Sequence, residues 1–169
     1  MGTIYYTGVK PLLLNVLLLA LLFSACNRGS QPRMLGSDAP DFTLTDSDRT
    51  VSLHDLKGKT IVLNFWTSWC GPCIEEMPSL VQLQKRMGQK LTVFAVSWDV
   101  DDHAYHKFLQ DHNIDLLTVR DGQQQSKKLY PSTGQPETYI IDASGKIRRK
   151  YIGPRNWADP EMIQYLKTL

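Results

Sequence analysis

Hydrophobic and polar positions divide the chain into blocks of distinct period. Residues 11–23 are apolar except for Asn15, with Lys10 ahead of them, and residues 27–36 are polar, with Gly29, Ser30 and Pro32 among them. Residues 39–44 alternate, residues 46–49 read as a turn, and residues 50–53 alternate again, which predicts a β-hairpin. Leu56-Lys57-Gly58-Lys59 turns into the run Ile61-Val62-Leu63-Asn64-Phe65-Trp66, short and rich in β-branched and aromatic residues, as a buried strand is. Met77, Leu80, Val81 and Met87 then recur at helical spacing, and Gly88 marks the stop. Pro78 falls inside that helix and cannot donate to residue 74, so a kink is expected there.

The pattern continues in the same alternation. Residues 91–97 predict a strand. Asp101 or Asp102 caps a helix running to about Asn113, with Tyr105, Phe108 and Leu109 on one face. Residues 116–119 predict a short strand, and residues 123–130 are polar but helix-tolerant. Residues 138–141 and 147–152 predict strands joined by the Ala143-Ser144-Gly145 turn, and residues 156–169 a closing helix with Trp157, Met162, Ile163 and Leu166 as its apolar positions. Strands alternating with helices imply an α/β fold, a central mixed β-sheet flanked by helices on both faces, with an N-terminal β-hairpin and an antiparallel closing pair. The 169 residues suffice for one domain with a real core.

The N-terminal apolar block is about the length of a signal-peptide core and short for a membrane span. Phe23-Ser24-Ala25-Cys26 resembles a bacterial lipobox, although Phe23 stands where Leu is usual. That resemblance implies cleavage before Cys26, lipidation of Cys26, and the layout 1–25 signal peptide, 26–36 flexible tether, 37–169 folded domain. An uncleaved anchor with an incidental cysteine is the alternative. Either reading places the domain outside the cytoplasm, held to a membrane and facing the periplasm in a Gram-negative host. Asn27, where Asp could stand, favours the outer membrane by the same resemblance. The formal net charge of +2 gives nucleic-acid binding no support, and Arg148-Arg149-Lys150 reads as the solvated side of a strand.

With Cys26 assigned to the N-terminus, the other two of the three cysteines lie in Trp69-Cys70-Gly71-Pro72-Cys73, where the buried strand hands over to the helix. The first turn of a helix has unpaired N–H groups and a partial positive charge, which favours a thiolate at Cys70. Residues three apart on a helix share a face, about 5–6 Å between Cβ atoms, close enough to close a disulfide. Pro72 suits the first turn, since it needs no N–H. Cys70 is therefore the candidate nucleophile and Cys73 the thiol that resolves a mixed disulfide, with no cofactor beyond the Cys70–Cys73 redox pair. Other chemistries fit less well. A c-type haem attachment needs His after the second cysteine, and the residue is Ile74. A zinc site made from the two cysteines would need further ligands, and His103 and His106 are the only spaced pair among His54, His103, His106 and His112.

Phe65-Trp66-Thr67-Ser68-Trp69-Cys70-Gly71-Pro72-Cys73, followed by Pro78 and by Gly134-Gln135-Pro136-Glu137-Thr138, resembles the thioredoxin superfamily. Ala39-Pro40-Asp41-Phe42 and Leu56-Lys57-Gly58-Lys59 narrow the likeness to membrane-anchored TlpA/ResA/CcmG-like thiol–disulfide oxidoreductases. The resemblance implies a thioredoxin-like fold, a cis-proline at Pro136 lying against the active-site loop of Gly71 and Pro72, and substrate pairing by the backbone of Gln135. Cytosolic thioredoxins carry a buried Asp where this chain has Asn64, whose amide cannot take a proton at neutral pH. Glu76 matches an active-site glutamate of ResA-like proteins and can serve as general base for Cys73 if partly buried. Glu75 reads as a surface residue. Glu137 is a second candidate beside Pro136, balanced against a plain surface role, and Trp69 either offers partners an apolar contact or packs in the core. The resemblance further implies a monomeric reductant of protein disulfides, supplied with electrons by a DsbD- or CcdA-type membrane protein, with apocytochrome c as substrate. A peroxiredoxin-type thiol peroxidase is the other enzymatic reading, since Thr67 stands three before Cys70, but Leu63 occupies the place of that group's proline.

Overall fold

The two alternating N-terminal runs pair as expected, β1 (Thr43–Thr45) antiparallel to β2 (Thr50–Ser52), with Leu44 opposite Val51 and both buried. Asp46 closes their turn by accepting the N–H groups of Asp48 and Arg49, each at 2.9 Å. The apolar run before the cysteines becomes β3 (Thr60–Trp66), buried along its whole length. From it the chain enters α1 (Gly71–Met87), then β4 (Leu91–Ser97), α2 (Asp102–Asp111), β5 (Leu117–Arg120), β6 (Glu137–Ile141), β7 (Ile147–Ile152) and α3 (Pro160–Leu166). The computed structural model describes residue 2 and residues 34–169. The expected signal peptide, Cys26 and the tether up to residue 33 lie outside the described residues.

Five strands form one sheet in the order β5-β4-β3-β6-β7. β3, β4 and β5 run parallel, whereas β6 is antiparallel to β3 and β7 to β6. Side chains alternate along a strand, so each strand feeds two cores. Val62, Trp66, Val93 and Ala95 join Met77, Leu80 and Leu83 of α1, Tyr105 and Phe108 of α2, and Ile163 and Leu166 of α3. Leu63, Phe65, Phe94 and Val96 join Leu44 and Val51 of the hairpin, with Tyr130 and Tyr139. Among the described residues the three α-helices thus cover one face, and the helices expected on the other are only single turns. The second face carries the hairpin and single 3₁₀ turns at His54–Leu56 and Gln125–Lys128.

Three departures from the sequence pattern exceed a residue or two. Residues 123–130 make only the 3₁₀ turn, because buried Asp121 takes the N–H groups of Gln125 and Ser126 that a helix would share. The closing helix begins at Pro160, not near residue 156, with Asp159 capping it through the Glu161 N–H at 2.8 Å. The folded unit also reaches back past residue 37 to Met34: Met34 and Leu35 pack on the second core, and the Gly36 N–H donates to the Ile147 carbonyl at 2.8 Å.

Asp142 locks the β6–β7 connection. Its buried carboxylate accepts from Ser144 N–H (2.9 Å), Ser144 hydroxyl (2.6 Å) and Lys146 N–H (3.0 Å), and pairs with Arg148. Burial alone pushes this carboxyl up, but the bonds from Ser144, Lys146 and Arg148 outweigh it and hold it at about 2, below its ordinary 3.8. A depressed carboxyl stabilises the fold above its unfolded value and loses that contribution as pH falls. Between about pH 4 and pH 2 the protein should lose about 2 kcal/mol from this group. Asp142→Asn should flatten that limb of the stability profile in urea denaturation at a series of acid pH values.

Candidate active site

The carboxyl ends of β3, β4, β5 and β7 and the start of β6 share one rim of the sheet, a consequence of the strand directions. Cys70 stands there as the N-cap of α1, its backbone extended at φ −85° and ψ 103°, with Pro72 in the first turn. The Cys73 N–H donates to Cys70 Sγ at 3.3 Å, so the free amide of the helix start points at the sulfur. Cys70 and Cys73 are joined by a disulfide, with Cα atoms 5.2 Å apart. Cys70 keeps 7% of its surface and Cys73 none, so a partner can reach only the first sulfur. Gly71 and Pro72 are exposed, with open space where a Cβ on Gly71 would lie. Trp69 is 74% exposed, which rules out core packing for it, whereas Trp66 is fully buried.

The loop between β3 and α1 is held by Asp99, which the sequence pattern did not single out. Its buried carboxylate accepts the Ser68 N–H at 2.9 Å and the Ser68 hydroxyl at 2.8 Å, and also the Ser97 hydroxyl at 2.7 Å. Its position just past the end of a parallel strand was the available signal, since such ends face the site in open α/β sheets.

Glu76 lies one turn beyond Cys73, only 3% exposed. Oε1 accepts from Asn64 Nδ2 at 2.7 Å. Oε2 accepts the Arg155 N–H at 3.1 Å and the Trp157 indole N–H at 3.0 Å. Burial pushes this carboxyl above its ordinary value, and the donors from Trp157, Arg155 and Asn64 only partly offset that. Asn64, in the place of the thioredoxin aspartate, therefore acts as a holder of Glu76; its Nδ2 also reaches Thr138 Oγ1 at 2.9 Å across the β3–β6 pair. Glu75 is exposed, as expected.

The Gln135–Pro136 bond is cis, Pro136 is buried and Gln135 half-buried. Glu137 pairs with Phe65, which sets this loop beside the end of β3 and the cysteines. Glu137 itself is fully buried, so a plain surface role is overturned: its Oε1 accepts the Tyr139 hydroxyl at 2.8 Å and pairs with Lys150 Nζ at 2.8 Å. Alternation sends Glu137 to the face opposite Thr138, Asn64 and Glu76. Cys26 lies outside the described residues. His106 is engaged by Asp48 at 3.0 Å and by Asp102 at 3.3 Å, and among the described residues no group of three or more His, Cys, Asp or Glu side chains is arranged to hold a metal. The Thr67 hydroxyl makes no hydrogen bond, to Cys70 or otherwise.

Removing Asp99 leaves the Ser68 N–H and two hydroxyls without their acceptor. Asp99→Ala should cost about 1–3 kcal/mol in urea denaturation and raise the amide exchange rate at Ser68 by at least tenfold; unchanged exchange there would show that the loop is fixed by other contacts.

Comparison with known proteins agrees with this geometry. The AhpC/TSA family matches residues 35–150. The thiol-disulfide oxidoreductase ResA of Bacillus subtilis is 33% identical over 150 residues, covering 86% of this chain and 84% of its own. The thioredoxin-like protein YneN of the same organism is 36% identical over 122 residues, covering 70% and 71%. Among solved structures, a thiol:disulfide interchange protein of the thioredoxin family from Chlorobium tepidum superposes with TM-score 0.68 at 28% identity, covering 82% of this chain and 97% of that one. The thioredoxin domain of a thiol-disulfide oxidoreductase from Bacteroides vulgatus gives 0.69 at 25%, covering 79% and 96%. A disulfide capping a helix at the rim of a thioredoxin-like sheet, and these likenesses along most of the chain, place the protein in the AhpC/TSA family as a thiol–disulfide oxidoreductase similar to ResA.

Proposed function

We propose that the protein is an extracytoplasmic reductant of protein disulfides, tethered to a membrane through a lipid on Cys26. The observation that carries the reading is the disposition of the two sulfurs: Cys70 reaches the surface at a helix N-terminus, and Cys73 is sealed behind it, one turn from the buried carboxyl of Glu76. In the reduced enzyme the Cys70 thiolate attacks one sulfur of a substrate disulfide. A mixed disulfide forms and the other substrate sulfur leaves as thiolate. Cys73 then gives its proton to Glu76 and attacks Cys70 Sγ. The Cys70–Cys73 bond closes, the second substrate thiolate leaves, and two electrons have passed to the substrate.

The surroundings suit a polypeptide partner. Exposed Trp69, Val100 and Ile152 lie beside Cys70 in sequence, just past the end of β4 and at the end of β7, on the rim that carries the cysteines, and give apolar footing to an unfolded chain. The backbone of Gln135, just before Pro136 and ahead of the paired residues of β6, supplies the edge on which such a chain can pair. Gly71 and Pro72 between the cysteines match reducing thioredoxins, whose potential is about −270 mV. Electrons reach the pair from a membrane protein of DsbD or CcdA type, and apocytochrome c, with its paired cysteines, is the substrate.

Two measurements check this reading. Cys73→Ser should accumulate mixed disulfides on Cys70 with extracytoplasmic proteins, cytochrome-assembly components among them, and Cys70→Ser should accumulate none. A redox titration should place the pair near −270 mV, and a value well above about −180 mV would make it an oxidant. Peroxide consumption that persists in Cys73→Ser would move the chemistry to a thiol peroxidase.

A further inference from the structure

The segment between β7 and α3 makes no regular structure, yet it carries more hydrogen bonds to the active-site helix than a connector requires. The Arg155 N–H and the Trp157 indole N–H both end on Glu76 Oε2. The Ser79 hydroxyl, one turn farther along α1, lies 2.7 Å from the Glu76 carbonyl and 3.2 Å from the Arg155 carbonyl, and accepts the Trp157 N–H at 3.0 Å. Arg86 donates to the Ala158 carbonyl at 3.0 Å. At its other end the segment touches the second half of the site, the Gly153 N–H donating to the Pro136 carbonyl at 2.9 Å. The Trp157 ring is fully buried and meets Tyr151 edge-on, so the indole cannot turn away from the carboxylate without opening the core.

We infer that Trp157 is a positioning residue for proton transfer at Cys73, holding the Glu76 carboxyl in place and biasing it toward its ionised, proton-accepting form. The inference rests on the reading of Glu76 as general base. An N–H donor stabilises a carboxylate far more than a carboxylic acid, because the bond to the anion is charge-assisted. Glu76 has three such donors, Asn64 from β3 and Arg155 and Trp157 from the segment after β7. The ionisable groups around it are Cys73 one turn back on its own helix, and Glu75, Arg86 and Arg155 along the groove above it. The Arg155 guanidinium is drawn over the Tyr151 ring at 4.1 Å. Of the three donors, Trp157 is a side chain that can be exchanged for another aromatic ring lacking the N–H, without touching the β3–β6 pair. Losing its N–H takes more stabilisation from the anion than from the acid, so the carboxyl titrates at higher pH.

Ellman's reagent tests this without a natural substrate. With the reduced enzyme, the first thionitrobenzoate released reports Cys70 attack, and the second reports Cys73 closing the disulfide. In the wild-type protein the second phase should show a pH inflection that Glu76→Gln removes, and the Trp157 indole N–H resonance should shift with pH at the same inflection and stay flat in Glu76→Gln. In Trp157→Phe the inflection should rise by about one pH unit and the second phase should slow several-fold at neutral pH, with the first phase unchanged. An unmoved inflection in a folded Trp157→Phe, or an indole resonance blind to pH while the inflection is present, would leave Trp157 a packing residue and overturn the inference. The resonance is read in the wild-type protein, so the test stands even where the variant does not fold. Absence of any inflection removable by Glu76→Gln would overturn the general-base reading along with it.

Discussion

The active site depends on one junction, the passage from the end of β3 into the first turn of α1. A strand buried on both faces delivers the chain to the rim at a fixed height, and a helix that starts there must leave its first amides without intrahelical partners. One of those amides, from Cys73, is aimed at Cys70 Sγ. The same donors and the helix field favour negative charge on that sulfur, which is the species that attacks a disulfide. Asp99 fixes the loop from the side by taking both polar hydrogens of Ser68, so the position of Cys70 follows from the ends of β3 and β4 together.

Behind that junction the protein keeps a carboxyl where an apolar side chain would pack more cheaply. Burial raises the proton affinity of Glu76, and its three donors pull in the other direction, leaving it above an ordinary glutamate. A carboxyl balanced in this way can take a proton from a neighbouring thiol and give it back, which a fully solvated one does poorly at neutral pH. Glu137 is treated differently although it lies close in sequence to Pro136. It is paired with Lys150 on the opposite face of the sheet, and Lys150 also reaches the Pro131 carbonyl at 3.2 Å. That pair ties the start of the cis-proline loop to β7, whereas Glu76 lies on the face of the cysteine helix, one turn from Cys73.

Much of this was legible from residue pattern. Residues 91–97 and 147–152 are the strands β4 and β7 to the residue: the first is a run of apolar and β-branched residues, and the second runs from Ile147 to Ile152 between the turn at Gly145 and Gly153. The CxxC is a local motif, and the cis bond at Pro136 was implied by the family resemblance of Gly134-Gln135-Pro136-Glu137-Thr138. What stayed hidden is contact between distant parts of the chain. Trp157 reads as one more apolar position of a closing helix, yet it lies 81 residues from Glu76, its partner. Asp99 is 31 residues from Ser68, and nothing in the spacing of either announces the bond. Residues 123–130 misled in the opposite way: helix-compatible side chains were present, but Asp121 captured the amides first. Glu137 looked as ready for the surface as for the site until the register of β6 and β7 placed Lys150 against it.

The chemistry read from the rim position of the disulfide and the unequal burial of its two sulfurs rests on the claim that α1 activates one cysteine and conceals the other. Competitive alkylation of the fully reduced protein at neutral pH, with each cysteine quantified by mass spectrometry, tests that claim most directly. Cys70 should be modified at least tenfold faster than Cys73 and faster than an unstructured cysteine peptide. Equal, sluggish modification of both would contradict the account at its base.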